Sequence, residues 1–208
     1  MKHSFPVKIK DVQKETESCI SISFDINDEL KALFQYKPGQ YITIIKNING
    51  IDFHRSYSLC SSPFENEWRV AIKKIDGGVF STYANDYFKI GDLIEIMPPD
   101  GKFTSNINEL NTKAYLFIAS GSGITPILSL IKSILLIEKN SQVTLIYGNQ
   151  KSDTIIFKNT LLALKNKYLR QFQVHFILSQ EDQDEELFNG RINADKIIKF
   201  NNKIFFPD

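Results

Sequence analysis

The hydrophobic pattern of this chain changes about halfway along, and that change is the strongest constraint on its fold. Before Pro99, short runs rich in β-branched and aromatic residues alternate with turn formers, which is typical of β-strands. From Lys113 onward, apolar strand-like runs alternate with helical stretches, which is typical of a parallel α/β sheet. The sequence therefore predicts two domains, an all-β domain at residues 1–108 and an α/β domain at residues 109–208.

The N-terminal half contains six predicted strands, a number and spacing typical of a small antiparallel barrel or sandwich. These strands are Val7–Val12, Cys19–Ile26, Tyr41–Ile45, Phe53–Cys60, Trp68–Lys74 and Leu93–Met97. A short amphipathic helix after Gly77 and Gly78 interrupts the pattern before the last strand. We therefore expect a six-stranded antiparallel barrel with one inserted helix.

The C-terminal half contains three predicted strand–helix pairs. The strands are Ala114–Ala119, Gln142–Tyr147 and Phe172–Leu178, and the helices are Pro126–Lys139, Asp153–Tyr168 and Asn193–Phe200. Because parallel strands need crossover connections, which are usually helices, this alternation predicts a parallel sheet.

Composition and charge exclude several classes of protein. The 208 residues carry a net charge of +1, so the chain has no strong field to attract nucleic acid or an anionic membrane. The most apolar stretch, Ile127–Ile137, contains a lysine and is shorter than the ~20 residues of a bilayer span. Two cysteines are too few for a disulfide framework or a four-thiolate metal cluster, and the N-terminus lacks the apolar region of a secretory signal. We expect a cytoplasmic protein that binds no metal, nucleic acid or membrane.

The first chemically suggestive segment is the fourth predicted strand, HRSYSLCSSP at residues 54–63. Alternate residues of a strand face the same side, so Arg55 and Tyr57 share one face while Ser56 and Ser58 share the other. A cation, a flat aromatic ring and small hydroxyls suit a ligand with phosphates, a planar ring and hydrogen-bonding edges. The alternative is an ordinary strand with an exposed arginine and a core tyrosine.

The second segment lies at the start of the inserted helix and reads Gly77-Gly78-Val79-Phe80-Ser81-Thr82. The first N–H groups of a helix have no partner within the helix, and glycines permit close approach of a ligand, so the segment suits an anion. The alternative is a strand-to-helix turn with a Ser or Thr cap.

Two loops of the α/β half follow buried strands. The first is Ser120-Gly121-Ser122-Gly123-Ile124-Thr125-Pro126, at the place where a dinucleotide's phosphates bind to a parallel sheet. It lacks the third glycine of G-x-G-x-x-G, and a tight strand-to-helix turn with Pro126 in the first helical turn is the alternative. The second is Tyr147-Gly148-Asn149-Gln150, for which a polar loop is the alternative.

Together and in this order, the segments resemble one family, the ferredoxin–NADP reductase-like flavoproteins. Arg55, Tyr57 and Ser58 meet its R-x-Y-S pattern, and the segments 78–81, 121–126 and 99–103 meet its G-x-x-S, G-[TS]-G-I-[TA]-P and P-x-G-x-F patterns. Within the family, YGNQ, DTIIF, LSQED and NGRI look most like the reductase subunits of phenylacetyl-CoA oxygenase (epoxidase) systems. The resemblance covers nearly the whole chain.

The resemblance implies that the chain binds FAD and takes electrons from NADH or NADPH. Arg55 would pair with the FAD pyrophosphate, Tyr57 would stack on the isoalloxazine ring, and Ser58 would hydrogen-bond near the nitrogen that accepts hydride. The resemblance also places Thr125 beside both cofactors. The implied catalytic residues are Tyr57, Ser58 and Thr125. The other implied cofactor-binding residues are Ser56, Gly77, Gly78, Val79, Phe80, Ser81, Thr82, Gly121, Ser122, Gly123, Asn149, Gln150 and Gln180.

The choice between the two nicotinamide dinucleotides depends on Gln150 and Gln180. In relatives that use NADPH, these positions usually carry basic residues that hold the 2′-phosphate. Glutamine can hydrogen-bond a ribose hydroxyl but cannot neutralise a phosphate dianion, which favours NADH. Lys151 is the counter-argument, because its flexible side chain could bring a charge to the same place.

The chain departs from the family in its last part. Relatives continue through a strand carrying Cys-Gly-Pro, and the phenylacetate-type reductases add a ferredoxin domain with four cysteines; neither feature occurs in these 208 residues. We therefore expect an α/β domain shortened at its C-terminus. The predicted function is electron transfer from NAD(P)H through FAD to an iron–sulfur ferredoxin domain or an oxygenase component. The alternative is an FAD-binding module or fragment without efficient nicotinamide turnover.

Overall fold

A computed structural model of the protein describes residues 3–200, and its first half is a six-stranded antiparallel sheet. The strands are β1 (Phe5–Thr16), β2 (Cys19–Asp25), β3 (Tyr41–Ile48), β4 (Ile51–Ser58), β5 (Trp68–Lys73) and β6 (Leu93–Asp100), in the order β4-β3-β6-β1-β2-β5. The two end strands meet just after β4, where Leu59 bridges Val70 and the Cys60 N–H donates to the Arg69 carbonyl at 2.8 Å. This contact closes the sheet on itself, as expected for a barrel.

Two buried faces explain the composition of β2 and β5. One face of each strand lines the barrel core, where Ile22, Val70 and Ile72 are fully buried. The other face packs against the second half of the molecule, where Cys19 and Ala71 join the core of the α/β part. Strands that are buried on both sides lack the usual alternation of polar and apolar residues, as the almost uninterrupted burial of both strands shows.

The second half is a three-stranded parallel sheet in the order β7-β8-β9. Its strands are β7 (Ala114–Ser120), β8 (Gln142–Asn149) and β9 (Phe172–Leu178), and its helices are α3 (Ile124–Ile137), α4 (Lys158–Lys167) and α5 (Ala194–Phe200). The predicted fold, an antiparallel β-barrel followed by a parallel α/β sheet, is confirmed. None of the helices within residues 3–200 is long and apolar enough to cross a membrane.

The first half holds two further helices, α1 (Asp28–Lys31) and α2 (Val79–Tyr87). The inserted helix α2 was predicted, whereas α1 was not. It is a single turn, capped by the Asn27 side chain, which accepts from the Leu30 N–H at 3.1 Å. A turn this short leaves no periodic apolar pattern in the sequence.

Two helix boundaries in the second half differ from the prediction. Helix α3 begins at Ile124, two residues before Pro126, because proline is tolerated in the first turn of a helix. Helix α4 begins at Lys158 and not at Asp153, since Phe157 has a left-handed backbone (φ 61°) that ends any earlier helix. The consecutive residues Ile155, Ile156 and Phe157 are all buried, which one face of a helix could not achieve.

Buried hydroxyls join the two sheets. The Ser129 hydroxyl of α3 donates to the Ser61 carbonyl at 2.6 Å, and the hydroxyls of Ser62 and Ser133 share a bond of 2.8 Å. All four serines are at most 1% exposed. These bonds hold α3, and the turn that precedes it, against the segment that follows β4.

Candidate functional site

Strand β4 and helix α2 meet through two aromatic rings. The ring centroids of Tyr57 and Phe80 are 5.8 Å apart with a 29° angle between the ring planes. Tyr57 lies opposite Ile42 of β3, so its ring is on the side of the barrel core. Burial raises the pKa of Tyr57 to about 12, although the nearby Arg55 charge acts in the opposite direction. Tyr57 is therefore a neutral, half-buried ring in the working pH range.

The neighbours of Tyr57 on β4 divide between the two faces of the strand. Arg55 pairs with Ile44, next to the Ile42–Tyr57 pair on the same face. Its exposed guanidinium lies 5.4 Å from the Phe53 ring centroid, and Nη1 donates to the His54 carbonyl at 2.9 Å.

The two serines of β4 lie on its other face. Ser56 shares a 3.0 Å hydrogen bond with the Thr43 hydroxyl of β3, and Ser58 is half-buried opposite Tyr41. Arg55 and Ser58 are therefore both accessible for a ligand beside Tyr57, but they approach it from different faces of β4.

The start of α2 is a tight glycine turn with open space beside Gly77. Gly77 has a positive φ of 69°, and a Cβ on Gly78 would come within 2.6 Å of the Ser81 hydroxyl. The Gly78 N–H donates to the Ile75 carbonyl at 2.9 Å, and a role of Gly78 in binding the cofactor stays a prediction. The N–H groups of Val79, Phe80 and Ser81 open the helix and have no partner within it. The Phe80 side chain is buried, so only its backbone can reach a ligand.

An apolar hollow of about 290 Å³ lies beside this helix start. Its lining includes Ile48, Val79, Thr82 and the rings of Tyr83 and Tyr87. The two tyrosine rings are 5.0 Å apart, and Tyr87 is 64% exposed. Sequence analysis predicted the amphipathic helix but did not single out these tyrosines, whose spacing of four residues was the available signal.

A second, polar cavity of about 370 Å³ lies at the carboxyl ends of the three parallel strands. It brings together four of the predicted residues, Gly121 after β7, Asn149 and Gln150 at the end of β8, and Gln180 after β9. The loops carrying the two glutamines are joined, because the Gln180 N–H donates to the Gln150 carbonyl at 2.9 Å. The edge of an open α/β sheet where strands end is the usual place for a nucleotide.

Side chains of β8 and α3 hold the turn between β7 and α3 in place. Gly121 has a positive φ of 51°, and the buried Tyr147 hydroxyl donates to the Gly121 carbonyl at 2.8 Å. The Thr125 hydroxyl donates to the Ser122 carbonyl at 3.0 Å. Thr125 is 7% exposed, so in this structure its hydroxyl stabilises the turn. A contact of Thr125 with both cofactors stays a prediction. Gly123, the N-cap of α3, has open space where a Cβ would be.

Sequence analysis missed two cations that line the polar cavity, Lys73 at the end of β5 and Arg191 in the NGRI segment. The Asn149 amide nitrogen at the end of β8 is buried, and the Asn149 side chain interacts with the Tyr147 hydroxyl. Within residues 3–200, no group of three His, Cys, Asp or Glu side chains could hold a metal ion.

Comparison with known proteins agrees with this division of the chain into two sites. Residues 6–105 match the family described as oxidoreductase FAD-binding domain, and residues 117–204 match the oxidoreductase NAD-binding domain. The two matches together assign nearly the whole chain to an FAD-binding and an NAD-binding oxidoreductase domain. The chain belongs to the FAD- and NAD-binding oxidoreductases with a ferredoxin reductase-like fold.

Two curated relatives and one solved structure illustrate the similarity. The chain is 39% identical over 186 residues to one of the subunits of 1,2-phenylacetyl-CoA epoxidase from Escherichia coli, an alignment that covers 89% of this chain and 52% of the relative. It is 36% identical over 171 residues to the ferredoxin reductase component of 3-ketosteroid-9-alpha-monooxygenase from Rhodococcus rhodochrous, covering 81% and 48%. Ferredoxin-NADP+ reductase from Plasmodium falciparum superposes with a TM-score of 0.77 and 25% identity, covering 97% and 80%. The chain thus spans about half the length of these two curated relatives.

Proposed function

We propose that this protein is an NAD(P)H-dependent flavin oxidoreductase that delivers electrons to an iron–sulfur or oxygenase partner. The observation that carries the proposal is that the two sheets are joined next to both candidate sites. Lys73 of β5 lines the polar cavity, and its Nζ lies 3.9 Å from the position of a Cβ on Gly121. Ser61, three residues after Ser58, accepts a 2.6 Å hydrogen bond from Ser129 of α3, the helix that follows the Gly121–Gly123 turn.

The first sheet fits FAD better than FMN. Arg55 and the N–H groups that open α2 offer two groups for a pyrophosphate, whereas FMN carries one phosphate. The hollow beside α2 has an exposed aromatic wall, Tyr83 and Tyr87, of the kind on which an adenine ring packs. A cofactor with a pyrophosphate and an adenine would use all three features.

The bound flavin would accept hydride from the nicotinamide and release electrons to the partner, and the protein supplies binding and orientation. Tyr57 offers a flat, neutral face whose tilt is fixed by Phe80. Ser58, half-buried at the end of β4, offers a hydroxyl to the edge of the ring system. The Gly121–Gly123 turn carries no side chain bulkier than that of Ser122, which leaves the approach to the flavin open from the nucleotide side.

The nature of the partner is inferred from the relatives. Two of them are named as part of an epoxidase and as the ferredoxin reductase component of a monooxygenase. We propose the same class of acceptor here, and a cytoplasmic location for the reaction. We also propose a domain boundary at residues 108–109, within the connection between β6 and β7.

The absorption spectrum of the purified protein tests the proposal. We expect a flavin spectrum, release of FAD on heating, and bleaching of the flavin band when NADH is added without oxygen. A yellow protein that NADH does not bleach would support the alternative, a module that binds FAD without nicotinamide turnover. Release of FMN alone would contradict the assignment of the flavin.

A further inference from the structure

The joint between the two halves, where β1 and β5 meet α3 and the start of α4, encloses a polar cavity of about 170 Å³. Glu15 and Arg69 line it from the first half, and Lys132 and Thr160 line it from the second. Glu15 is half-buried there, and its Oε1 accepts a 2.6 Å hydrogen bond from the Ser21 hydroxyl. A carboxylate of the first half is therefore covered by the second half.

Glu15 forms no ion pair with residues 3–200, although two cations lie near it. Both cations already have acidic partners at the joint. These pairs are Arg69 with Asp11 and Glu67, and Lys132 with Glu65 at 3.0 Å. A charge that leaves water without a counter-ion of its own costs free energy. The ionised form of Glu15 is therefore disfavoured while the joint is closed.

The titration of Glu15 reflects this position. Burial raises the pKa of Glu15 above its usual 4.5, although the Ser21 hydrogen bond and the Arg69 and Lys132 charges act in the opposite direction. Closing the joint thus opposes ionisation, and by linkage ionisation opposes closing. The effect is complete above the raised pKa and disappears as the pH falls toward 4.5.

The other charged and titratable groups around Glu15 come from four parts of the joint. They are Arg69 of β5, Lys132 of α3, Cys19 of β2, and Cys60 and Glu67 of the segment between β4 and β5. Lysine and arginine side chains remain cations between pH 5 and 8. Burial raises the pKa of both thiols, so they remain neutral in the closed joint. Glu67 is held by its ion pair with Arg69.

We propose that Glu15 is a proton-linked control of the joint, whose ionised form favours separation of the two halves and whose protonated form favours their contact. The polar cavity at the ends of the parallel strands is lined by Lys73 from the first half and by loops of the second. Separation of the halves therefore widens the entrance to that cavity. Ionised Glu15 speeds exchange of whatever ligand the cavity holds, a property beyond the proposed function.

The two cysteines of the chain are natural reporters of this opening. Cys19 and Cys60 are at most 1% exposed and lie in the core that the two halves share. Burial raises the pKa of Cys19 to about 12, and a buried neutral thiol is unreactive. Reaction of the native protein with a dipyridyl disulfide therefore requires opening of the joint, and its rate measures how often the joint opens.

Thiol labelling of the purified full chain at pH 8.0 and pH 5.0 tests the proposal. At pH 8.0, Glu15→Gln should be labelled about threefold more slowly than the wild type, because a neutral side chain of the same length removes the buried charge. At pH 5.0 the two rates should converge. The Glu15 charge raises the pKa of both cysteines, so its loss in a closed joint would speed labelling. Slower labelling thus reports closure.

Two further variants separate the buried charge from other effects. Glu17→Gln removes an exposed glutamate from the turn between β1 and β2, and should be labelled like the wild type at both pH values. Glu15→Asp keeps a carboxylate at the joint and should keep the pH dependence. Dissociation of ADP, measured by stopped-flow displacement, should be slower in Glu15→Gln than in the wild type at pH 8.0.

Two results would overturn the proposal. One is labelling of Glu15→Gln at pH 8.0 that is as fast as that of the wild type, or faster. The other is a difference between the two proteins that persists unchanged at pH 5.0, because it would not depend on the charge of Glu15. Labelling involves neither NADH nor flavin reduction, so its outcome is independent of whether the protein is a reductase.

Discussion

The Tyr57 ring of β4 rests on the Phe80 ring of α2, with 5.8 Å between centroids and 29° between planes. Because Phe80 is buried and packs edge-on against Phe88 at 6.1 Å, it gives Tyr57 a rigid support. The contact joins the strand that carries Arg55 and Ser58 to the helix start that carries the unpaired N–H groups. The two parts of the proposed flavin site are therefore held in a fixed relation by one pair of rings.

Replacing Arg55 by alanine should weaken FAD binding by about tenfold to a hundredfold, as expected for loss of a charge-assisted hydrogen bond to a phosphate. Among residues 3–200, the exposed guanidinium donates only to the His54 carbonyl of its own strand, so its removal should leave the fold intact. Titration of the apoprotein with FAD measures the effect, and Arg170→Ala serves as the matched control. An unchanged FAD titration would show that Arg55 does not contact the cofactor.

Replacing Ser58 by alanine should slow flavin reduction and leave FAD occupancy near that of the wild type. A neutral hydrogen bond to the reacting edge of the ring contributes more where charge develops than in the resting complex. Stopped-flow reduction by NADH, with the flavin-to-protein absorbance ratio, measures both quantities. As a control, Thr112→Val removes an exposed hydroxyl from the connection between β6 and β7, and it should change neither the reduction rate nor the FAD occupancy. Loss of FAD with a normal reduction rate would reverse the assigned role.

The wild-type protein should prefer NADH to NADPH in kcat/KM. Within the described lining of the polar cavity, the linked loops of Gln150 and Gln180 contribute amides and hydroxyls and no cation. The double variant Gln150→Arg/Gln180→Arg should shift the preference toward NADPH, because guanidinium groups suit the 2′-phosphate. A wild-type preference for NADPH would refute the prediction, and a double variant without a shift would mean that these loops do not face the ribose.

The protein should lose stability as the pH falls below about 6.5, in part through His175. Burial lowers the pKa of His175 from its usual 6.5, and the Lys165 charge lowers it further. The folded state therefore favours the neutral ring, so its contribution to stability is complete above pH 6.5 and is lost as the pH falls toward the lowered folded-state pKa. The ring stacks on Phe188 with 6.1 Å between centroids, and its Nε2 is buried without a partner among the described residues.

Thermal unfolding at pH 8.0 and pH 5.5 checks this dependence. In His175→Leu the fall in Tm between the two pH values should be smaller than in the wild type. His54→Gln, which replaces an exposed histidine on β4, should behave like the wild type. An equal fall in Tm in wild type and His175→Leu would show that other groups control the acid sensitivity.

The sequence predicted the fold wherever a local pattern decided it. Period-two and buried runs placed all nine strands that the structure describes in residues 3–200, and the long apolar run placed α3 within two residues of its start. The predicted start of α4 at Asp153 was wrong. The three residues before the helix, Ile155 to Phe157, are all buried, and Phe157 has a left-handed backbone that helix propensity does not indicate.

The residues of the candidate site were likewise predicted only where they belong to motifs that are continuous in sequence. Motifs that are continuous in sequence could be recognised, and the structure places Gly121, Asn149, Gln150 and Gln180 around one cavity. Lys73, more than 100 residues from Arg191, enters that cavity only because β5 packs against the parallel sheet, and its neighbours in sequence give no hint of this.

The buried serine bonds between the two sheets bear on how kinetic data from this protein should be interpreted. The hydroxyls of Ser62, Ser129 and Ser133 are neutral and shielded from water, so ionic strength and pH act on them weakly. The same joint also contains an ion pair, Lys132 Nζ to Glu65 Oε2 at 3.0 Å, which salt screens. A salt-dependent limiting rate that disappears in Lys132→Gln would therefore point to movement of one sheet against the other, and a salt-dependent rate that remains would point to another step.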